Sequence, residues 1–289
     1  MTVGRAASIH ARLLNVAKSR DEDFNEVLEH YALERWLYRL SISSVRERFC
    51  LKGAMLFHLW FDDKHRPTRD ADFLAFGDIE ADALATMLRT VCTIGTDDGM
   101  TYDPDSVRVE AIREDTRYGG LRARVAGRLG TARCPVQMDV GFGDAVTPGA
   151  EDAEYPTLLH DVPAPRIKVY PRATVVAEKL EAIVDLGLAN SRMKDDYDLQ
   201  ALARERNIDM DTLSEAIANT FARRGTPLPK ALPVGLTHEF SDEASRLALW
   251  SSFLRKQRLI GTTLEQAIKD ICSLVRDPLS EARARRDTP

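Results

Sequence analysis

The sequence predicts an α+β fold: a mixed sheet flanked by helices, followed by a helical C-terminal lobe. Three observations carry this. Apolar residues recur at helical spacing over residues 8–40 and 79–91, four short stretches have strand character (73–76, 106–112, 121–126 and 136–140), and from residue 174 onward the pattern is helical throughout. The expected division is 1–148, N-terminal helices plus sheet core; 149–171, a connector rich in proline; and 172–289, the helical lobe.

Ser8 to Lys18 stacks Ile9, Leu13, Leu14 and Ala17, with Ser8 as N-cap. Asp23 to Leu40 does the same with Val27, Leu28, Tyr31, Trp36 and Leu37, and its Glu34, Arg35 and Arg39 read as a solvated face. Ile79 to Val91 is a third amphipathic helix, broken by Thr96-Asp97-Asp98-Gly99. Tyr118-Gly119-Gly120 marks a hairpin between the strands 106–112 and 121–126. In the strand 136–140, Asp139 stands beside Gln137 on the polar face, opposite Val136, Met138 and Val140, and a carboxylate there needs a partner. Helices are expected at 174–188, 194–206, 211–223, 242–255 and 263–276. Residues 281–289, with Arg283, Arg285 and Arg286, read as a frayed end.

The chain has 289 residues and a net charge of −5, so it is not a globally basic nucleic-acid binder. Any RNA contact must come from local clusters: Arg122/Arg124, Arg223/Arg224/Lys230 or Arg255/Lys256/Arg258. Cys50, Cys92, Cys134 and Cys272 lie far apart, which argues for reduced thiols rather than a zinc site or disulfide framework. No continuous hydrophobic segment is present, so a cytoplasmic protein without a membrane partner is expected.

The stretch Leu51 to Phe76 carries the chemistry. A helix start at Lys52-Gly53-Ala54 precedes a basic loop, Lys64 to Arg69, and then Asp70-Ala71-Asp72 runs into a strand. Two carboxylates one residue apart on a strand share a face. Free N–H groups at a helix start suit phosphates, and carboxylates suit their counter-cations. The spacing alone also occurs at Asp21/Asp23, Asp103/Asp105, Asp196/Asp198 and Asp209/Asp211, and it leaves surface carboxylates at a strand entrance as the other reading. Context singles out Asp70/Asp72.

The run Phe49 to Ala54 followed by Arg66-Pro67-Thr68-Arg69-Asp70-Ala71-Asp72 is similar to the AbiEii/AbiGii group of polymerase-beta-like nucleotidyltransferases, which includes the MenT-type toxins. Glu178-Lys179-Leu180-Glu181 and Lys194-Asp195-Asp196-Tyr197-Asp198-Leu199 read by charge alone as a salt-bridged helix pair, and they also resemble the group's two C-terminal helices. The resemblance implies transfer of NMP from an NTP with two Mg²⁺ ions, or Mn²⁺ in their place. Asp70, Asp72 and Asp139 would hold the metal, Lys179 the triphosphate, and Asp195, with Asp198 next, would be the supporting acid. Lys52, Gly53, Ala54, Arg66, Thr68 and Arg69 would bind the nucleotide.

As acceptor the resemblance implies the 3′ end of tRNA, whose extension blocks aminoacylation and translation, and as partner a cognate antitoxin. Two positions qualify it. Ala54 stands where many relatives have glycine or serine, which removes a hydroxyl from the phosphate cradle. Thr68 stands where relatives place a Ser or Thr, phosphorylated in some toxins to silence them. Two alternatives remain: an NTP-dependent enzyme that modifies protein, its own Thr68 included, or a nucleotide-binding partner of an antitoxin without turnover.

Overall fold

A computed structural model describes residues 3–62, 65–112, 119–260 and 262–287. Lys64 of the basic loop, Tyr118 of the expected hairpin and the Arg286 side chain lie outside the described residues.

Helices α1 (Val3–Arg20) and α2 (Phe24–Ser41) open the chain, the second capped by the Asp23 carboxylate, which accepts from the N–H groups of Asn25 and Glu26. Strand β1 (Phe49–Lys52) leads through a 3₁₀ turn, Gly53–Met55, into α3 (Leu56–Trp60). Next come β2 (Asp70–Ala75), α4 (Ala81–Cys92), β3 (Met100–Tyr102), β4 (Arg108–Ala111), β5 (Gly120–Val125), β6 (Gly127–Leu129), β7 (Ala132–Arg133) and β8 (Val136–Phe142). Inside the proline-rich stretch, β9 (Glu151–Glu154) and β10 (Arg166–Val169) are strands.

Seven strands form one mixed sheet in the order β4-β5-β8-β2-β1-β10-β9, while β3, β6 and β7 make a small second sheet. The pairs β2/β8 and β1/β10 are parallel and the others antiparallel. Strand β1 is not foreseen from the sequence. Phe49, Cys50 and Leu51 are all buried, so no alternation of polar and apolar residues marks them.

Glu34, Arg35 and Arg39, expected in solvent, are at most 1% exposed. Helix α2 packs against α1, α4, β8 and β10, which buries residues 31–37, 39 and 40 and leaves Glu34, Arg35 and Arg39 no wet face, so these charges are paired instead. Arg39 donates to both oxygens of Asp98, at 2.6 and 3.0 Å, and to Met100 O at 2.9 Å. Glu34 accepts from Leu158 N at 2.6 Å, and Arg35 donates to Pro163 O at 2.9 Å.

Two compact units result: 1–143 with 151–169, and 144–150 with 170–289. The second consists of α5 (Arg172–Leu186), α6 (Met193–Glu205), α7 (Met210–Arg224), α8 (His238–Asp242), α9 (Ala244–Lys256) and α10 (Leu264–Asp287). Helix α10 runs on where a frayed end is expected, straight through Pro278. A proline inside a helix costs about 3 kcal/mol. Ile268, Ile271, Val275, Leu279 and Ala282, all buried, carry one apolar stripe across it, and their burial outweighs that cost. No helix among the described residues is long and apolar enough to cross a membrane.

Candidate active site

Asp70 and Asp72 alternate with buried Ala71 and Phe73, so both carboxylates lie on one half-exposed face of β2. Register extends that face across five strands. Lys52 stands opposite Asp72, Asp72 opposite Asp139, Asp139 opposite Arg122, and Arg122 opposite Glu110. Residues directly opposite one another project to the same side, so the five charges form one row. Two residues along, a second row holds Asp70, Gln137, Arg124 and Arg108.

Gly53 follows β1 with φ +73°, and a Cβ placed on it would lie 2.0 Å from Asp72 Oδ2. Only glycine lets the Asp72 carboxylate rest against this backbone. The short helix expected to open at Lys52-Gly53-Ala54 is one 3₁₀ turn, Gly53–Met55, then the five residues of α3, with Lys52 itself ending β1. The cradle therefore consists of the Gly53 backbone and Lys52, not of a long helix dipole. Ala54 is buried within the turn.

In the loop, Thr68 donates its hydroxyl to Asp70 Oδ1 at 2.7 Å. Arg66 is buried, and His65 beside it stacks on Phe57 with ring centroids 4.2 Å apart. Arg69 is exposed and lies 3.2 Å from Glu29.

The partner expected for Asp139 is a metal shared with Asp70 and Asp72; the partner present is Arg122. Its Nε donates to Oδ1 at 2.8 Å and its Nη2 to Oδ2 at 2.6 Å, so both oxygens are engaged. Hard oxygen donors suit Mg²⁺ or Mn²⁺. On that chemistry Asp70 and Asp72, half-exposed on one face beside a glycine, fit a cation. Asp139 fits only by sharing its oxygens with Arg122 or giving the arginine up. Accordingly, no group of three or more His, Cys, Asp or Glu among the described residues is arranged to hold a metal ion. Sequence reasoning placed Arg122 in an RNA cluster and missed this pairing, because only the β5–β8 register reveals it.

In the helical unit, the second constellation is a salt-bridged helix pair. Lys179 Nζ lies 2.5 Å from Asp195 Oδ1 and 2.9 Å from Asp198 Oδ2. Arg224 joins Glu178 at 3.3 Å, Glu181 at 2.8 Å and Asp144 at 3.3 Å. Asp196 belongs to a D-x-D pair that the sequence does not single out. It is fully buried with neither carboxylate oxygen hydrogen-bonded, and burial, reinforced by Asp195, pushes its pKa up to about 8. Of the three basic clusters, Arg122/Arg124 and Arg224 are drawn into ion pairs, whereas Arg255, Lys256 and Arg258 are exposed at the end of α9 and just beyond it.

No curated protein matches the sequence. Among solved structures, JHP933 from Helicobacter pylori shares the fold at a TM-score of 0.51 and 16% identity, covering 90% of this chain and 94% of that one. An H. pylori protein described as a candidate nucleotidyltransferase aligns at 0.49 and 15% identity, over 89% and 96% of the two chains. The family model described as nucleotidyl transferase AbiEii toxin, type IV toxin–antitoxin system, matches residues 35–271, so the chain belongs to that family.

Proposed function

We propose that the chain transfers NMP from an NTP to the 3′ end of tRNA in the cytoplasm, blocking aminoacylation and hence translation. The observation that carries this is the part-exposed face of β2, which bears Asp70 and Asp72 on one side, with Asp72 against the side-chain-free backbone of Gly53. Two Mg²⁺ ions, or Mn²⁺, would bind Asp70 and Asp72 and supply positive charge that acidifies the acceptor hydroxyl and offsets the triphosphate. Lys52 and the Gly53 backbone neutralise and cradle the phosphates. Asp139 orients the acceptor hydroxyl and takes up its proton as the oxygen bonds to the α-phosphorus and the α–β phosphoanhydride bond breaks to release pyrophosphate. Any phosphate that takes Lys179 replaces one of its two carboxylates, Asp195 or Asp198. The family also implies an antitoxin partner.

A second acceptor has a specific observation in its favour. The Thr68 hydroxyl already sits on Asp70, at 2.7 Å, so the chain's own threonine is within reach of the same centre. Incubating the protein with Mg²⁺, total tRNA and each α-labelled NTP separates the readings. Label in tRNA, lost in Asp70→Ala, is expected. Label in protein alone, lost in Thr68→Val, would move the acceptor to Thr68. Retained nucleotide binding with no label in either would leave a non-turning-over partner of an antitoxin.

A further inference from the structure

We propose that Arg122 is a positioning residue: its guanidinium fixes the orientation of Asp139 and weakens the hold of the carboxylate face on a divalent cation. The proposal rests on the reading that this face is the transfer centre. Asp72 and Asp139 stand directly opposite one another and Asp70 two residues along, on one part-exposed face where like charges repel. Arg122 cancels one of them. It does so through two parallel hydrogen bonds, 2.8 and 2.6 Å long, a fork that fixes both the position and the plane of the carboxylate. The pair is more enclosed than a surface bridge, with side-chain exposures of 30% and 19%. Two residues along the same strand, Arg124 makes an ordinary bridge to Glu110 with exposures of 51% and 58%, and serves as an internal control.

Charge and geometry then act in opposite directions. The charge of Arg122 repels an incoming cation and competes for the Asp139 oxygens. Its fork holds Asp139 in the one orientation useful to the reaction. Arg122→Gln removes both properties; Arg122→Lys keeps the charge and loses the fork.

The test is titration of the full chain with Mn²⁺, following free ion by paramagnetic resonance, for wild type, Arg122→Gln, Arg122→Lys and Arg124→Gln. Turnover at saturating Mn²⁺ is measured in parallel, and thermal melting checks folding. Loss of a unit charge beside a dication in a water-accessible site tightens binding about tenfold. Arg122→Gln is therefore expected to bind Mn²⁺ about tenfold more tightly while its kcat falls, a split that a merely structural role does not produce. Arg122→Lys is expected to keep the wild-type Mn²⁺ affinity and to lose kcat by about tenfold or more. Arg124→Gln should match wild type in Mn²⁺ affinity.

Mn²⁺ affinity and kcat of Arg122→Gln equal to those of wild type would overturn the proposal, as would a wild type that binds no Mn²⁺. If wild type binds Mn²⁺ but transfers no nucleotide, the transferase reading fails, and the titration alone decides for or against Arg122. If Arg122→Gln does not fold, a wild-type kcat in Arg122→Lys overturns the proposal and a lowered kcat at unchanged affinity upholds it.

Discussion

Replacing Gly53 by alanine strikes the candidate site through geometry alone. A non-glycine residue at φ +73° costs about 1–2 kcal/mol. The added Cβ would also meet Asp72 Oδ2 at 2.0 Å, Cγ at 2.7 Å and Cβ at 2.8 Å. Ordinary contact starts at 3.4 Å, so the carboxylate oxygen must retreat by at least 3.4 − 2.0 = 1.4 Å. Misplacing a reacting group by about 1 Å costs about a hundredfold in rate, and Gly53→Ala should lose at least that much. A double-mutant cycle on urea stability isolates the clash. Asp72→Gly removes all three crowded atoms, so in that background Gly53→Ala should cost only the backbone strain, about 1–2 kcal/mol, and in wild type about 1 kcal/mol more. Equal costs in the two backgrounds, or wild-type turnover in Gly53→Ala, would refute the reasoning.

Three further outcomes follow from the second unit. Asp196, with its folded pKa near 8 against an unfolded value of about 3.9, holds its proton where the unfolded chain has released it. Stability should therefore fall as pH rises from about 4 to about 8, by up to about 1.4 kcal/mol per pH unit, and level off above. Urea unfolding at pH 5 and pH 8 checks this, and Asp196→Asn should flatten the difference. Lys179→Met removes the cation held between Asp195 and Asp198, both nearly or fully buried, and should destabilise the unit by about 3 kcal/mol and weaken NTP binding if the lysine takes a phosphate. Thermal melting and nucleotide binding report the two effects separately. Replacing Arg255, Lys256 and Arg258 by glutamine should weaken tRNA binding and flatten its dependence on salt, with NTP binding unchanged, in filter-binding assays at several ionic strengths.

What the sequence disclosed is what neighbours in the chain decide. Asp70 and Asp72 share a face because strands alternate, and Gly53 stands beside them in the same short stretch. Arg122 is found on Asp139 only once the β5–β8 register is known, since the two residues are 17 positions apart. The charges of α2 read as solvated because a helix pattern shows what could be exposed, not what covers it; Asp98, Leu158 and Pro163 supply the partners from distant segments. The last helix is expected to end at Arg276, but the apolar stripe from Ile268 to Ala282 carries α10 on through Pro278. Asp196 was indistinguishable from its neighbours, for its burial comes from packing rather than from any local motif.

The central claim is that the face bearing Asp70 and Asp72 moves a nucleoside monophosphate and releases pyrophosphate. Parallel reactions with one NTP labelled at the α- or the γ-phosphate test it most directly. The expected result is α-label on the acceptor and γ-label in pyrophosphate, both lost in Asp72→Asn. Label from the γ-phosphate on the acceptor, or transfer that survives Asp72→Asn, would contradict it.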